Sequence, residues 1–438
     1  MLFFQLLIVL CAIILGARLG GVGLGVAGGL GVAVLTFVFG IEPTNPPVDV
    51  MLMIAAVVTA ASCMQAAGGL EYMVKVAERI LRKHPEHVTI ISPIVTYLFT
   101  FIAGTGHIAY SVLPVIAEVA RETKIRPERP LGIAVIASQQ AITASPISAA
   151  TVALLGLLSG FDITLLDILI VTIPATFIGV MVGAFFSLRV GKELVDDPEY
   201  QRRLKEGLVE NSSTQTCHIE SMKNARISVI IFLMATLLIV LFGSIDSFRP
   251  SFSHGGKMVP MDMPALIEII MLGTSAIILV VCRIDGIKAV KGNIFSAGMQ
   301  AVIAIFGIAW MGDTFLSGNM EQLRTSIESI IQSMPWLFGV ALFVMSILLY
   351  SQAATVRAVV PLGVALGISP MLLIALFPAV NGYFFIPNYP TVVAAINFDS
   401  TGTTRIGKYI LNHSFMMPGM VSTVVSIIVG LMLVQVMF

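Results

Sequence analysis

The chain has 438 residues, of which 57% are hydrophobic and 11% are charged, and its net charge is +0 at pH 7. Soluble domains carry about 25% charged residues, so this composition and a mean hydropathy of +0.96 exclude an ordinary soluble domain and indicate an integral membrane protein. A neutral chain gives no basis for nucleic-acid binding. The four cysteines have scattered spacings that fit neither a disulfide framework nor a metal site, and no motif indicates a cofactor.

Apolar runs close to the length that spans a membrane follow one another along the first half of the chain. We predict spans near residues 2–17, 23–40, 49–66 and 88–104, interrupted elements at 107–120 and 131–158, and a long span at 164–189. The first run has no basic residues before it, so we interpret it as a retained span and not a signal peptide. An amphipathic stretch, Gly69–His84, is expected to lie at the membrane interface.

A polar segment, residues 191–225, separates a first repeat, residues 1–190, from a second, residues 226–438. Its charges have both signs, which is typical of a solvated linker. The second repeat has the order of the first. We predict spans near 226–243, 263–282, 294–311 and 335–351, interrupted elements at 354–366 and 370–398, a span at 405–435, and an interfacial amphipathic stretch at Asp313–Ser333.

Basic residues are concentrated in loops that these spans place on one side of the membrane. The set comprises Arg18, Lys75, Arg79, Arg82, Lys83, Arg121, Lys124, Arg126, Arg129, the linker, Arg283, Lys288, Lys291, Arg405 and Lys408, while only Arg249, Lys257 and Arg324 fall on the other side. The positive-inside rule assigns the rich side to the cytoplasm. Both termini then lie outside, and the second half enters from the opposite side. We therefore predict an all-α polytopic membrane protein built as an inverted repeat.

Polar residues and prolines interrupt the apolar sequence at matching places in the two halves. The segments are GTGHIAYSVLP (104–114) and SQQAITASPISAAT (138–151) in the first half, and SQAATVRAVVP (351–361) and NGYFFIPNYPTVV (381–393) in the second. Backbone leaves the helix at membrane depth only where protein or a water-filled cavity satisfies its amides. A simple proline kink is the alternative for either break alone. Two breaks in corresponding positions indicate the substrate site of a secondary transporter, and helix N-termini there favour an anion.

The polar side chains of these segments are the candidate substrate ligands. They are Gln139, Thr143, Ser145 and Ser148 from the first half, and Gln352, Asn381, Asn388 and Thr391 from the second. His107 is either a packing residue or a site residue that handles a proton. Arg357 is either a carboxylate ligand, because its planar fork suits that group, or a side chain that reaches the cytoplasmic surface.

Two other function classes are weaker. A cation/proton antiporter of similar architecture needs a carboxylate where the broken helices cross, and neither Ser138–Thr151 nor Asn381–Phe398 contains one. An intramembrane enzyme needs a base and a nucleophile or a metal set, and His107 has no evident partner, so we predict a non-enzymatic protein. The GxGxxG pattern at Gly23–Gly28 lacks the strand–turn–helix context of a dinucleotide site, and its GxxxG spacings favour close helix packing.

Over essentially its whole length the sequence resembles the anaerobic C4-dicarboxylate transporter family (Dcu, the DcuA/DcuB type). The matching words are GARLGGVGLGVAGG, PPVDVMLMIAAV, QAAGGLEYMV, FIAGTGHIAYSVLPVIAEVA, IRPERP, ITASPIS, RPSF, GIAWM, SQAA, YPT, STGTTRIG and NHSF. The resemblance implies a multi-pass carrier of the bacterial inner membrane for fumarate, succinate, malate and aspartate, working by exchange or cation-coupled uptake. It also implies an ion-transporter-type fold with elevator-like motion, and a homodimer. The family further admits a regulatory sensor partner.

Overall fold

The computed structural model describes residues 2–19, 22–209, 222–245, 248–254, 257–334, 336–349, 351–387, 389–407 and 411–437. Within this part of the chain the fold is all-α, apart from one short antiparallel hairpin. Its strands are β1 (Ser251–His254) and β2 (Lys257–Pro260), which pair with Ser251 opposite Pro260.

The first half and the linker contribute ten helices to the described part of the chain. They are α1 (Leu2–Leu19), α2 (Gly23–Phe37), α3 (Val48–Ala66), α4 (Gly69–Lys83), α5 (Val88–Ala103), α6 (Ala109–Glu122), α7 (Glu128–Ala144), α8 (Ala149–Leu158), α9 (Leu165–Ser187) and the linker helix α10 (Pro198–Lys205). Two of them form a hairpin, α5 and α6, and the next two, α7 and α8, are the pieces of one broken helix.

The second half also contains a hairpin and a broken helix. Its helices are α11 (Met222–Ser244), α12 (Met263–Cys282), α13 (Gly286–Val290), α14 (Asn293–Ser333), α15 (Leu337–Leu349), α16 (Gln352–Ala365), α17 (Pro370–Leu376), a 3₁₀ segment (Phe377–Phe384), α18 (Pro390–Phe398) and α19 (Met416–Met437). Here α15 and α16 form the hairpin. The broken helix consists of α17 with the 3₁₀ segment, followed by α18.

Seven helices of the described residues are long and apolar enough to cross a membrane, or eight if α3 and α4 count as one bent span. The bend between them is 70°, and Gly68 allows it because its φ of +84° is a left-handed conformation that glycine adopts without a Cβ penalty. Beyond the bend, α4 buries Leu70, Met73, Ala77 and Leu81 at helical spacing. The amphipathic stretch predicted at Gly69–His84 is therefore a helix, and its position at the membrane interface stays a prediction.

Two boundaries differ from the sequence prediction. The stretch Asp313–Ser333 is not a separate element, because it continues α14, which has 41 residues. The final span begins at Met416 and not near residue 405. The reason is local: the Asp399 carboxylate accepts hydrogen bonds from the Thr403 hydroxyl at 2.9 Å and the Thr404 amide at 2.6 Å. Side-chain bonds of this kind compete with helix formation.

Helices of the two halves pack on one another in reciprocal pairs. Helix α2 packs along α14 while α12 packs along α3, α8 contacts α16 while α18 contacts α6, and α9 packs along α19. The glycine-rich start of α2 makes one of these contacts close, since a Cβ atom on Gly25 would overlap the backbone of Ile303, and one on Gly28 that of Gly307. The interpretation of Gly23–Gly28 as a packing motif is confirmed.

The bundle has two ends, which we name after one residue each. The Asp49 end gathers the loop before α3, the loop between α8 and α9, and the segment around Arg249 and Asp262, all of which line one cavity. The Arg126 end gathers the loop before α7, the start of the linker and the segment between α18 and α19. Most of the basic loops belong to the Arg126 end.

Candidate functional site

The first broken helix has its break at Ser145–Ser148. Helix α7 ends at Ala144, Ser145 is extended with φ −76° and ψ 128°, and α8 begins at Ala149. The tip of the α5–α6 hairpin lies against this break. At that tip Gly104 has φ +67°, and a Cβ atom on it would lie 2.8 Å from Cγ1 of Ile147. A residue without a side chain is therefore required for the hairpin to approach the break.

The second broken helix loses its regular geometry from Asn381 onward. Asn381 has non-helical dihedral angles (φ −97°, ψ 28°) inside the 3₁₀ segment. The next amide, that of Gly382, donates to the hydroxyl of Ser346 on α15 at 2.8 Å. Helix α18 then starts at Pro390, which is suited to a helix start because it has no amide hydrogen to satisfy. A side chain thus satisfies the freed amide of Gly382, as is required of backbone at membrane depth.

Four amide side chains join the two breaks in one hydrogen-bonded chain, which we call the amide chain (Gln139, Gln140, Gln352 and Asn381). Gln352 Nε2 donates to Gln139 Oε1 at 3.1 Å and to Asn381 Oδ1 at 3.2 Å. Asn381 Nδ2 donates in turn to Gln140 Oε1 at 3.1 Å. All four residues are buried. The amide chain therefore links α7 of the first half to α16 and the 3₁₀ segment of the second.

Threonine hydroxyls terminate the amide chain. Gln139 Nε2 donates to Thr391 Oγ1 at 3.1 Å, and Gln140 Nε2 donates to Thr423 Oγ1 at 3.0 Å. Thr143 Oγ1 lies 3.4 Å from Asn381 Nδ2. These groups hold one another, and an incoming carboxylate has to replace some of these bonds with its own. A buried polar group that loses its partner is destabilising. A ligand rich in acceptors provides new partners for the amide donors, so the free energy of the exchange is close to zero.

Five of the sequence candidates therefore meet in one place: Gln139, Thr143, Gln352, Asn381 and Thr391. Gln140 and Thr423 belong to the same network but were not among the candidates. For Gln140 the signal was available, since it is the second residue of the Gln-Gln pair in the first break.

Two serine candidates lie at the first break with hydroxyls directed to nearby groups of their own half. Ser145 Oγ donates to the Phe101 carbonyl at 2.7 Å, which ties the break to α5. Ser148 Oγ lies 3.0 Å from Thr151 Oγ1 and accepts from the Thr151 amide at 3.2 Å, as an N-cap of α8 does. Neither serine is bonded to the amide chain. The side chain of His107 and the whole of Asn388 lie outside the part of the chain that the structure describes.

Arg357 lies apart from the amide chain, on a cavity of about 640 Å³ at the Asp49 end. The ionisable residues lining this cavity are Asp49, Asp162, Arg249, Asp262 and Arg357. Arg357 is itself buried on α16, with 9% of its surface exposed. The cavity lies at the opposite end from the basic loops, so Arg357 does not extend toward the Arg126 end.

A second cavity, of about 110 Å³, continues from the first toward the break. The two cavities share Met53 and Val152 as lining residues, and the smaller one is also lined by Gly104, Thr105 and Ile147. The two adjoining cavities extend along α3 and α8 from the charged residues to the hairpin tip and the first break, and we call them together the route. Sequence analysis missed the acidic residues of this route, which are separated along the chain and meet only after folding.

The Arg126 end holds a buried ion-pair cluster. Arg126, 4% exposed, contacts Glu128 and Asp197, each at 2.5 Å. Glu128 also accepts from the Ser414 hydroxyl at 2.7 Å. Burial opposes the charged form of Asp197, but the Arg126 guanidinium and the amides of Tyr200 and Glu199 outweigh it, so the pKa of Asp197 lies below its ordinary value. The cluster fastens the linker to α7 and to the segment before α19.

The structure is a bundle of apolar spans, and the polar groups of its two broken helices meet between the halves. This arrangement is that of a multi-pass α-helical membrane transporter. The family described as anaerobic C4-dicarboxylate membrane transporter matches residues 1–438. The chain belongs to this family, whose members are transporters and not enzymes.

Individual relatives are similar in sequence to this chain along nearly their whole length. The C4-dicarboxylate transporter DcuA of Escherichia coli K12 is 46% identical over 434 residues, 99% of each chain. The DcuA protein of Wolinella succinogenes is 43% identical over 430 residues, 98% of each chain. The anaerobic C4-dicarboxylate transporter DcuB of Escherichia coli O6:H1 is 40% identical over 437 residues, 97% of each chain. The resemblance seen in the sequence is confirmed.

Proposed function

We propose that this C4-dicarboxylate transporter carries fumarate, succinate, malate and aspartate across the bacterial inner membrane, by dicarboxylate exchange or cation-coupled uptake. The observation that carries this proposal is the amide chain, which brings polar groups of both halves together where the broken helices meet. A four-carbon diacid presents two acceptor-rich ends, and the amide chain offers donors from α7 on one side and from α16 and the 3₁₀ segment on the other.

In the proposed site each carboxylate is held by one half. The candidate ligands of the first half are Gln139, Thr143, Ser145, Ser148 and His107, and those of the second half are Gln352, Asn381, Asn388, Thr391 and Arg357. Five of them meet at the amide chain, whereas Arg357 lies on the cavity at the Asp49 end and binds the acid before it reaches the amide chain. The route from the Arg357 cavity to the first break supports entry of an anion from the Asp49 end. Amide and hydroxyl donors can replace water around a carboxylate without adding a fixed charge, so the bound acid can leave again.

Exchange follows from the charge of the substrate. Moving a dianion against a potential of about 100 mV costs about 4.6 kcal/mol, since each charge contributes about 2.3 kcal/mol. A second dianion moving the other way cancels this cost, and so does the uptake of two cations. Exchange requires that the unloaded carrier seldom reorients. The hydrogen bonds between α7 and α16 that form without substrate support such a barrier.

We also propose the arrangement in the membrane. The reciprocal helix pairs support an inverted repeat of residues 1–190 and 226–438 joined by the linker 191–225, and the basic loops at the Arg126 end support a cytoplasmic position for that end. Both termini are then periplasmic. A homodimer and a regulatory sensor partner complete the proposal, and both are supported by the resemblance to the family.

Counterflow in proteoliposomes tests the proposed substrates. Vesicles containing the purified carrier are loaded with unlabelled fumarate, succinate, malate, aspartate or a monocarboxylate, and labelled fumarate is added outside. We expect transient accumulation of label with each C4-dicarboxylate and none with the monocarboxylate. Equal accumulation with the monocarboxylate, or none with any loaded acid, would contradict the proposal.

A further inference from the structure

Arg357 has acidic neighbours on two other helices. The chain neighbours of Asp313 and Arg357 face each other. A Cβ atom on Gly312 of α14 would lie 3.7 Å from the Cα of Ala358 on α16. The positive charge of Arg357 is attracted by Asp313 and by Asp49 at the start of α3, and its Nε atom is buried without a hydrogen-bond acceptor among the described residues. Arginine in an apolar span is normally matched by a carboxylate or by a ligand. Here two carboxylates exceed the single positive charge, while the Nε atom of the guanidinium group has no acceptor among the described residues.

Asp313 is held in place by the turn of α14 that carries it. Trp310 Nε1 on the preceding turn donates to the Thr44 carbonyl at 2.5 Å, and the hydroxyl of the next residue, Thr314, lies 3.2 Å from the Thr44 hydroxyl. Helix α14 also packs on α16, which carries Arg357. Asp313 is half-buried, so its charged form loses part of its hydration, which is unfavourable unless a cation compensates.

Few other ionisable groups surround this pair. Helix α2, which packs along α14, contains no ionisable residue, and the single basic residue of α1, Arg18, is near its far end. The start of α3 contributes Asp49, and the loop before it contributes Glu42. The remaining charged groups of the cavity are Asp162, Arg249 and Asp262, which lie on other elements. Asp313 is therefore the acid on α14 that faces the cation of α16.

We propose that Asp313 takes up a proton when a C4-dicarboxylate binds at Arg357, so that substrate binding is coupled to protonation of this one carboxyl group. The proposal rests on the proposed function. A dianion that approaches Arg357 is repelled by the neighbouring carboxylates. A proton taken up from the solvent neutralises Asp313, removes its share of that repulsion and makes the full charge of Arg357 available to the substrate.

Protonation on binding has a consequence for transport. The occupied site carries one net negative charge fewer than the dianion alone, which halves the electrical work of moving a single substrate molecule. When two substrates are exchanged, each bound substrate is accompanied by one proton on Asp313. The inward and outward proton movements cancel, so no net proton crosses the membrane. The same residue thus serves exchange and proton-coupled uptake.

Calorimetry on the purified full-length carrier tests the inference. Fumarate is titrated in pairs of buffers with different ionisation enthalpies at about pH 6 and about pH 8, a range in which fumarate itself stays ionised because free carboxyl groups titrate near pH 4. We expect the wild type to bind up to one proton per fumarate, with an affinity that falls by up to about tenfold per pH unit. Asp313→Asn should bind fumarate without proton uptake and with little pH dependence.

The control variant is Asp49→Asn, which removes the other carboxylate near Arg357 and should keep the proton uptake. Retention of proton uptake in Asp313→Asn would overturn the inference, as would fumarate binding without protons in the wild type. A wild type that binds no C4-dicarboxylate would instead refute the proposed function. If Asp313→Asn does not fold, Asp313→Glu is the second test. Its carboxyl group has an ordinary pKa about 0.4 higher and lies one methylene further from the helix, so we expect a shifted pH midpoint of the uptake, and an unmoved midpoint rules Asp313 out.

Discussion

Gln352 donates from Nε2 to Oε1 of Gln139 at 3.1 Å, although the two residues are 213 positions apart and belong to different halves of the chain. Gln139 lies on the first broken helix, and Gln352 lies at the start of the second arm of the opposite hairpin. Their bond is part of the amide chain, and both residues are buried. The state of this bond therefore reports whether the two halves are joined at the breaks.

Replacing Gln352 with alanine tests the amide chain. Gln352→Ala removes the donor to both Gln139 and Asn381. Hydrogen bonds to charged groups contribute about 1.5–3 kcal/mol, so fumarate affinity should fall roughly 10- to 150-fold, measured by binding to the purified carrier. Gln300→Ala is the matched control, because Gln300 on α14 bonds to Ser296. Wild-type affinity in Gln352→Ala would remove this residue from the site.

Replacing Arg357 with lysine tests the charged cavity. An ammonium group keeps the charge but cannot form the paired bonds of a guanidinium to a carboxylate, so Arg357→Lys should weaken dicarboxylate uptake at least about tenfold. A monocarboxylate competitor should be affected less, and its inhibition constant is measured beside uptake. Arg202→Lys, on the exposed face of α10, is the control. Uptake equal to the wild type in both variants would assign Arg357 a structural role.

Replacing Gly104 with alanine tests the contact of the hairpin tip with the break. The left-handed backbone of Gly104 costs an alanine about 1 kcal/mol, and the new Cβ atom would meet Ile147 at 2.8 Å. We expect Gly104→Ala to lower the uptake rate and the thermal midpoint. Gly160→Ala should change neither, since a Cβ atom there meets nothing within 4 Å. Partial recovery in Gly104→Ala/Ile147→Ala would show that the contact contributes beyond the backbone strain.

Replacing Asp197 with asparagine tests the buried cluster at the Arg126 end. Breaking one side of a buried ion pair costs about 3 kcal/mol or more, so Asp197→Asn should lower the thermal midpoint, while the exposed Asp196→Asn should not. The pKa of Asp197 is lower in the folded than in the unfolded state. The stabilisation by the Asp197 carboxylate is therefore complete above its pKa in the unfolded state, about 3.9, and is lost as the pH falls through its pKa in the folded state. Acidification below about pH 4 should therefore lower the thermal midpoint of the wild type more than that of Asp197→Asn. An equal decrease in the two proteins would contradict this assignment.

Reporter fusions test the orientation. A periplasmic reporter should be active after residue 438, and a cytoplasmic reporter should be active within residues 210–221, because the basic loops favour a cytoplasmic Arg126 end. A reporter at residue 45, in the loop at the Asp49 end, should behave like the one at the C-terminus. A cytoplasmic C-terminus would refute the inverted repeat.

Local patterns in the amino-acid sequence predict the class of protein, most of the spans and the positions of both breaks. These are local properties: a span is a run of apolar residues of sufficient length, and a break requires residues such as Pro146 and Pro390 that cannot continue a helix. The candidates Gln139, Gln352, Asn381 and Thr391 followed from their position in those breaks. Their membership in one network is a result of the structure.

Only the tertiary structure decided which polar groups meet. Ser145 and Gln140 lie in the same polar segment, yet Ser145 bonds to the carbonyl of Phe101 and Gln140 bonds to Asn381, 241 residues away. The difference depends on how α7 is rotated against its neighbours, which side-chain packing sets and no local pattern records. Likewise, Asp313 and Arg357 are 44 positions apart on different helices. Their charges act on each other because α14 packs against α16.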